Sequence, residues 1–194
     1  MSTVVGPATY SPQDLLTMPD GGKYELVDGS LVELNMSYLS SYVAGQIYQR
    51  LKNHCDSHQL GWVTPEGTSF QCFPKAMSRV RRPDTTFIAL VRLSEEQAKT
   101  EGHCPVVPDL VVEVISPGDT AYEVDQKVDE YLSAGVPLVW VANPEKHTVR
   151  IHRRDGTVTQ LREADTLSGE QVIPGFQCRV SELFQLPGSS RSGD

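Results

Sequence analysis

Two nearly continuous apolar runs, LVVEVI (110–115) and LVWVAN (138–143), constrain the fold more than any other feature of the sequence. Runs of this length that are rich in β-branched residues are typical of strands buried on both faces of a sheet. Residues 121–134, between the runs, carry apolar side chains at helical spacing, and Gly135 follows as a C-cap. A strand, a helix and a strand in this order predict a parallel βαβ unit and hence an α/β protein.

The rest of the chain adds hairpins and further helices to this unit. Asp28-Gly29 and Asp155-Gly156 each lie between two runs of alternating apolar residues, a pattern that predicts a tight hairpin. Apolar residues that recur every four positions predict an amphipathic helix over 41–56. The segment 82–91 predicts a strand that Pro83 opens at its edge. Shorter predicted elements are a helix beginning at Pro12, β-rich residues in 61–73, a helix and loop in 93–107, and a strand with a helical turn in 172–184.

One domain is predicted, over residues 1–186, because 194 residues that are 39% hydrophobic can bury a core without disulfides or a structural metal. The segment LPGSSRSGD is poor in hydrophobic residues, so residues 187–194 are expected to form a disordered tail. Four cysteines without paired spacing indicate a reducing compartment. No run approaches the roughly 20 apolar residues that span a bilayer, and the N-terminus lacks the order of a secretory signal. We therefore expect no membrane span and a cytoplasmic location.

The charged residues are unevenly distributed. Seventeen Lys and Arg against 25 Asp and Glu give a net charge of -8, which argues against sequence-independent coating of nucleic acid. Residues 75–92 hold five basic residues and one acid, whereas residues 93–130 hold ten acids and two lysines. The simplest interpretation is a solvated loop followed by a solvated helix face. The alternative is that the basic segment contacts phosphates while the acidic segment holds a cation.

Glu113 is the anomaly of the sequence, because it interrupts an otherwise apolar strand. A buried carboxylate needs a cation, a hydrogen-bond network or a metal to offset its desolvation. It is either a structural glutamate paired with an arginine or a metal ligand or general base in a cleft. Asp84 begins the neighbouring predicted strand, and two carboxylates on adjacent strands can share one Mg²⁺. Pro-Asp alone is weak support, since it occurs three times in the chain.

Two further groups of residues have both a functional and a structural interpretation. Lys127 lies at the edge of the apolar stripe of its predicted helix, from where its ammonium can reach Glu113 to orient a water and stabilise growing negative charge. The structural alternative is a surface pair with Glu123. Zinc ligation is disfavoured, because the spacings match no known finger or ribbon. The residues considered for zinc are His54, Cys55 and His58 with Cys72, and His103 with Cys104.

The strings YELVDG, RRPDTTFI, PDLVVEVISPGD and KVDEYLSAGVPLVWVANP, in this order, resemble the Uma-two family. That family is assigned to the PD-(D/E)XK restriction-endonuclease-like superfamily. The resemblance extends from about Tyr10 to Phe184. It implies a restriction-endonuclease-like central mixed β-sheet flanked by helices, and a Mg²⁺-dependent nuclease site at which Mn²⁺ can substitute.

The resemblance also assigns residues to this site. Asp84 matches the PD aspartate and Glu113 the acid of the (D/E)xK half-motif. The lysine of that half-motif is absent, because Ile115 stands in its place, and the resemblance suggests Lys127 of the next helix as its replacement. Glu25 of YELVDG matches an acidic position that can add a metal contact, with an ordinary hairpin residue as the alternative.

We therefore predict a Mg²⁺-dependent endonuclease in which Asp84, Glu113 and Lys127 are catalytic and Asp84, Glu113 and Glu25 hold the metal. Its expected substrate is nucleic acid, with DNA as the first choice. The rival prediction is a non-catalytic module that binds nucleic acid or protein and retains the fold after losing the ExK lysine. The sequence does not fix the oligomeric state and leaves a homodimer open.

Overall fold

The computed structural model describes residues 4–5 and 9–188, and in this part the chain forms eleven strands and five α-helices. The strands are β1 (Val4–Val5), β2 (Tyr24–Val27), β3 (Ser30–Glu33), β4 (Gly61–Pro65), β5 (Thr85–Ala89), β6 (Leu110–Val114), β7 (Leu138–Asn143), β8 (Thr148–Arg153), β9 (Val158–Leu161), β10 (Thr166–Ser168) and β11 (Gln177–Arg179). The helices are α1 (Pro12–Thr17), α2 (Tyr38–His58), α3 (Glu95–Ala98), α4 (Ala121–Ala134) and α5 (Val180–Phe184). None of the helices in these ranges is long and apolar enough to cross a bilayer. Of the predicted tail, residues 189–194 lie outside the described ranges.

A mixed six-stranded sheet is the centre of the fold, in the order β4-β5-β6-β7-β8-β9. β6 and β7 are parallel and the other neighbouring pairs are antiparallel. Helix α4 connects the two parallel strands; it begins with a capping box between Thr120 and Glu123 and ends at Gly135, whose φ of 106° suits a residue without a Cβ. The βαβ unit and the mixed sheet flanked by helices are therefore confirmed.

Helices cover both faces of this sheet. On one face, α2 and α5 form a core with the sheet in which Leu51 and Trp140 are fully buried. On the other face, Val128 of α4 packs in a second core with Val111. Because successive strand residues point to opposite faces, Glu113 lies on the same face as Val111, beneath α4.

A second, three-stranded sheet lies beside the start of β5. β2 and β3 form the hairpin predicted around Asp28-Gly29, and β1 pairs with β3. Leu26 and Val80 exchange two backbone hydrogen bonds of 2.9 Å, which tie β2 to the segment that leads into β5. This link determines the position of Glu25 relative to the residues that follow Val80.

The structure corrects three details of the predicted elements. Helix α2 begins at Tyr38 rather than at residue 41, because Ser37 is its N-cap and the Ser37 side chain accepts a hydrogen bond from the Ser40 N–H. The strand predicted over 82–91 is shorter, because β5 begins at Thr85, two residues after Pro83; its ladder to β6 begins there, so the missing N–H of Pro83 costs no hydrogen bond. The strand predicted near the C-terminus is β11. Its antiparallel partner β10 was not predicted, because a strand of three residues is too short to show a periodic pattern.

Both interpretations of the basic segment are wrong for Arg81 and Arg82. Arg81 and Arg82 are only 4% and 8% exposed, so they neither lie in a solvated loop nor offer their charge to external phosphates. Arg81 pairs with Glu25 and Glu130, and Arg82 donates hydrogen bonds to backbone carbonyl oxygens. Internal carboxylates neutralise the charge of Arg81 because the hairpin and α4 pack against the segment.

Candidate active site

A cavity of about 190 Å³ opens between the β2–β3 hairpin, the start of β5, the end of β6 and helix α4. Each of these elements contributes one of the four residues predicted from the sequence. The residues are Glu25 of β2, Asp84 immediately before β5, Glu113 of β6 and Lys127 of α4, and all four line the cavity. The tertiary structure thus brings the whole predicted set together.

Asp84 and Glu113 face each other across two antiparallel strands. Thr85 pairs with Val112, and the same register, extended by one residue, places Asp84 opposite Glu113. Asp84 Oδ2 accepts a hydrogen bond of 2.6 Å from the Val114 N–H. Within the described part of the chain Oδ1 of Asp84 accepts no hydrogen bond, although the residue is only 8% exposed. The Asp84 carboxylate therefore keeps acceptor capacity beyond its bond to the Val114 N–H.

Helix α4 supplies two donors to Glu113. Lys127 Nζ lies 3.1 Å from Glu113 Oε2, and the Tyr131 hydroxyl donates to Glu113 Oε1 at 2.7 Å. Lys127 and Tyr131 are four residues apart and so lie on the same face of the helix. Glu123, the predicted surface partner of Lys127, closes the capping box with Thr120. The expected buried ion pair of Glu113 therefore exists, with a lysine in place of an arginine.

Glu25 belongs to a network of buried ion pairs. Its Oε2 lies 2.8 Å from Arg81 Nη1 and 3.5 Å from Lys127 Nζ, and its Oε1 accepts a 2.8 Å hydrogen bond from the Arg82 N–H. Arg81 Nε also donates to Glu130 Oε2 at 2.7 Å, and Arg81 Nη2 lies 2.7 Å from the same oxygen. The contacts of Glu25 are therefore cationic and backbone donors, and its predicted role as a metal contact stays a prediction.

The pKa values of the four residues separate into two groups. Burial raises the pKa of Asp84 well above its usual value, and the charge of Glu113 adds to the shift. Burial also raises the pKa of Glu113, although Lys127 stabilises its carboxylate. Burial acts in the same direction on Glu25, but Lys127 and Arg81 outweigh it and lower the pKa. The pKa of Lys127 is raised, because Glu113 and Glu25 outweigh the opposing effect of burial. Two carboxyl groups are therefore hard to ionise, while Glu25 and Lys127 stay charged.

The donors at the site fit a hard divalent cation. Asp84 and Glu113 supply oxygen ligands, and a cation between them would relieve the desolvation and repulsion that raise their pKa values. In the described ranges, no group of three or more His, Cys, Asp or Glu side chains is arranged to hold a metal ion. Mg²⁺ commonly uses only one or two carboxylates and takes water and phosphate oxygens for the rest, whereas structural zinc needs four ligands. The arrangement therefore suits Mg²⁺ or Mn²⁺ far better than zinc.

Three residues of the site were not predicted from the sequence: Arg81, Glu130 and Tyr131. Tyr131 has the apolar spacing of a core residue, and it is indeed only 1% exposed, but its hydroxyl contacts Glu113. Its position four residues after Lys127 was the available signal. The sequence carried no such signal for Arg81 and Glu130, because their pairing depends on contacts between segments 49 residues apart.

Comparisons with known proteins agree with this description. The model of a family described as "Putative restriction endonuclease" matches residues 12–181. A solved structure described as the "Crystal structure of a putative nuclease belonging to DUF820 from Anabaena variabilis ATCC 29413" superposes with a TM-score of 0.75 at 15% sequence identity, covering 90% of this chain and 97% of that chain. At this identity the likeness shows the shared fold. No curated protein matches the sequence.

Proposed function

The chain belongs to the Uma2 family, the Uma-two family of the sequence analysis, whose model matches residues 12–181. From this premise we propose that the chain is a Mg²⁺-dependent endonuclease that hydrolyses phosphodiester bonds of nucleic acid, with DNA as the first substrate to test. The family predicted from the sequence is the one found. The observation that carries the proposal is the convergence of Asp84, Glu113 and Lys127, from three separate elements, on one cavity.

In this proposal Asp84 and Glu113 hold the metal. Both side chains can supply oxygen ligands to a metal, and they lie opposite each other, Asp84 immediately before β5 and Glu113 on the neighbouring strand β6. Asp84 Oδ1 accepts no hydrogen bond within the described part of the chain, which supports the assignment. Bound there, Mg²⁺ or Mn²⁺ would polarise the phosphate and lower the pKa of a water. A further contact from Glu25 was predicted, but both of its oxygens already accept hydrogen bonds from Arg81 and Arg82.

Lys127 takes the part of the missing ExK lysine. The position two residues after Glu113 is Ile115, yet Lys127 Nζ lies 3.1 Å from Glu113 Oε2. Because its pKa is raised, the side chain stays protonated at neutral pH. A permanently charged ammonium cannot act as a general base, so we assign Lys127 to stabilising the charge that grows on the phosphate in the transition state.

The charge of the cavity lining supports a cation requirement. Besides Glu25, Asp84 and Glu113, four more carboxylate side chains line the cavity: Glu33, Glu66, Asp119 and Glu123. Arg81, Arg82 and Lys127 are the cations of this lining, and Arg81 is already paired with two glutamates. Without a bound cation such a lining repels a phosphodiester, so substrate binding and metal binding should be coupled.

The test is a cleavage assay with purified protein on supercoiled plasmid, linear duplex, single-stranded DNA and RNA, each with Mg²⁺, with Mn²⁺ and with chelator. We expect metal-dependent cleavage by the wild type and its loss in Asp84→Asn and Glu113→Gln. Lys127→Met should lower the rate by about 10²–10³-fold, a typical effect of removing one transition-state donor.

Lys52→Met is the matched control, because Lys52 lies on the outer part of α2, pairs with Asp56 one turn away and does not line the cavity. It should cleave like the wild type. Wild-type protein that cleaves none of the four substrates with either metal contradicts the proposed function. If it nevertheless binds one of them, the non-catalytic binding module predicted as the rival is the better description.

A further inference from the structure

Glu25 has the most constrained carboxylate of the site. It is 1% exposed, and its two oxygens accept from Arg81 Nη1 and the Arg82 N–H, each at 2.8 Å. Arg81 is held in turn by Glu130, which accepts a hydrogen bond from its Nε and lies 2.7 Å from its Nη2. Moving Glu25 toward a cation bound by other residues would break hydrogen bonds on both of its oxygens. The negative charge of Glu25 is therefore fixed in place.

Lys127 lies between this fixed charge and Glu113. Its Nζ is 3.5 Å from Glu25 Oε2 and 3.1 Å from Glu113 Oε2. When Glu113 takes up a divalent cation, as in the proposed function, the ammonium and the cation share one carboxylate and repel each other. Lys127 then needs a second anion that does not bind the metal.

We propose that Glu25 is a positioning residue: it retains the Lys127 ammonium when Glu113 binds the cation, and it is not itself a ligand of that cation. The inference rests on the proposed function, because it concerns the same cation and the same lysine. Without the charge of Glu25, Lys127 would be left with the two carboxylates that hold the cation, Glu113 at 3.1 Å and the more distant Asp84, and would compete with the metal for them. The effect of Glu25 on metal binding should therefore operate entirely through Lys127.

A double-mutant cycle on metal affinity separates the two roles of Glu25. Mn²⁺ is titrated calorimetrically into the full chain as wild type, Glu25→Gln, Lys127→Met and the double variant. We expect Glu25→Gln to weaken Mn²⁺ binding by about tenfold, the lower end of the usual effect of residues that orient metal ligands. In the Lys127→Met background, the same substitution should change the affinity by less than about twofold.

Equal weakening in both backgrounds would make Glu25 a metal ligand and overturn the proposal, as would unchanged affinity in Glu25→Gln alone. Glu170→Gln is the matched control, because Glu170 is likewise paired with an arginine, Arg153, but does not line the cavity. It removes the same charge without touching Lys127 and should leave the affinity within about twofold. If Glu25→Gln does not fold, Glu25→Asp serves in the same cycle, since it withdraws the carboxylate while keeping its charge.

The cycle is also informative if the proposed function fails. Wild-type protein that binds no Mn²⁺ overturns the metal-dependent function, and the coupling of Glu25 to Lys127 is then measured by urea unfolding of the same four proteins. Additive effects on unfolding would show that Glu25 does not hold Lys127 and would overturn the positioning role as well.

Discussion

Replacing Tyr131 by phenylalanine isolates one hydrogen bond at the buried carboxylate. The Tyr131 hydroxyl donates to Glu113 Oε1 at 2.7 Å, whereas Lys127 contacts the other oxygen. The phenylalanine ring keeps the packing against Phe73, whose ring centroid lies 6.0 Å away. The substitution therefore removes a donor to Glu113 and leaves almost all apolar contacts intact.

The expected cost follows from the charge and burial of Glu113. A hydrogen bond to a charged group contributes about 1.5–3 kcal/mol, and Glu113, at 8% exposure, has little water to replace it. For a domain of this size, each kcal/mol corresponds to about 2–4 °C, so the melting temperature should fall by about 3–12 °C. Loss of the donor also raises the pKa of Glu113 further, since the Tyr131 hydrogen bond lowers it. The difference between the two proteins should therefore be largest where Glu113 is ionised and should shrink as the pH falls and Glu113 is protonated in both.

The assay is urea unfolding without metal at several pH values, followed by tryptophan fluorescence, since Trp140 is fully buried in the folded protein. Tyr42→Phe is the matched control: its hydroxyl donates to the Gln185 carbonyl oxygen at 3.2 Å in an exposed setting, and its loss should cost less than about 0.5 kcal/mol. A Tyr131→Phe protein within about 0.5 kcal/mol of the wild type at alkaline pH would refute the argument that this bond stabilises the charged form of Glu113.

Three further predictions concern stability and are measured by urea or thermal unfolding without metal. Arg81→Met should cost about 3–5 kcal/mol, because Glu25 and Glu130 both lose a buried cation; a loss under about 1 kcal/mol would contradict the importance of this network. The wild type should become less stable as the pH rises through the raised pKa of Asp84, because the folded protein keeps that proton to a higher pH than the unfolded chain does. Asp84→Asn should flatten this decline, and an unchanged pH profile would exclude Asp84 as its source. Gly135→Ala should cost about 1–2 kcal/mol, since a φ of 106° is strained for alanine, and wild-type stability in that variant would contradict this account of the α4 C-cap.

The sequence alone determined the elements whose signals are local. The apolar runs of β6 and β7, the helical spacing and C-cap of α4, and the two Asp-Gly hairpins all depend on residues close together in the chain. Together with the quoted strings, they were sufficient for the mixed α/β sheet and the family. The anomaly of Glu113 also followed from the sequence, because a carboxylate within an apolar strand needs a partner wherever that strand lies.

Only the tertiary structure decided which partners the charged residues have. The sequence allowed Lys127 to pair with Glu123 or to reach Glu113, and packing of α4 on the sheet face that carries Glu113 placed its ammonium 3.1 Å from that carboxylate. The arginines of the basic segment looked solvated, yet Arg81 is buried against Glu25, 56 residues away in the chain. Pairings of this kind leave no periodic pattern, because they arise where a hairpin, a strand and a helix meet, and the gain from each ion pair offsets desolvation only once all three are in place.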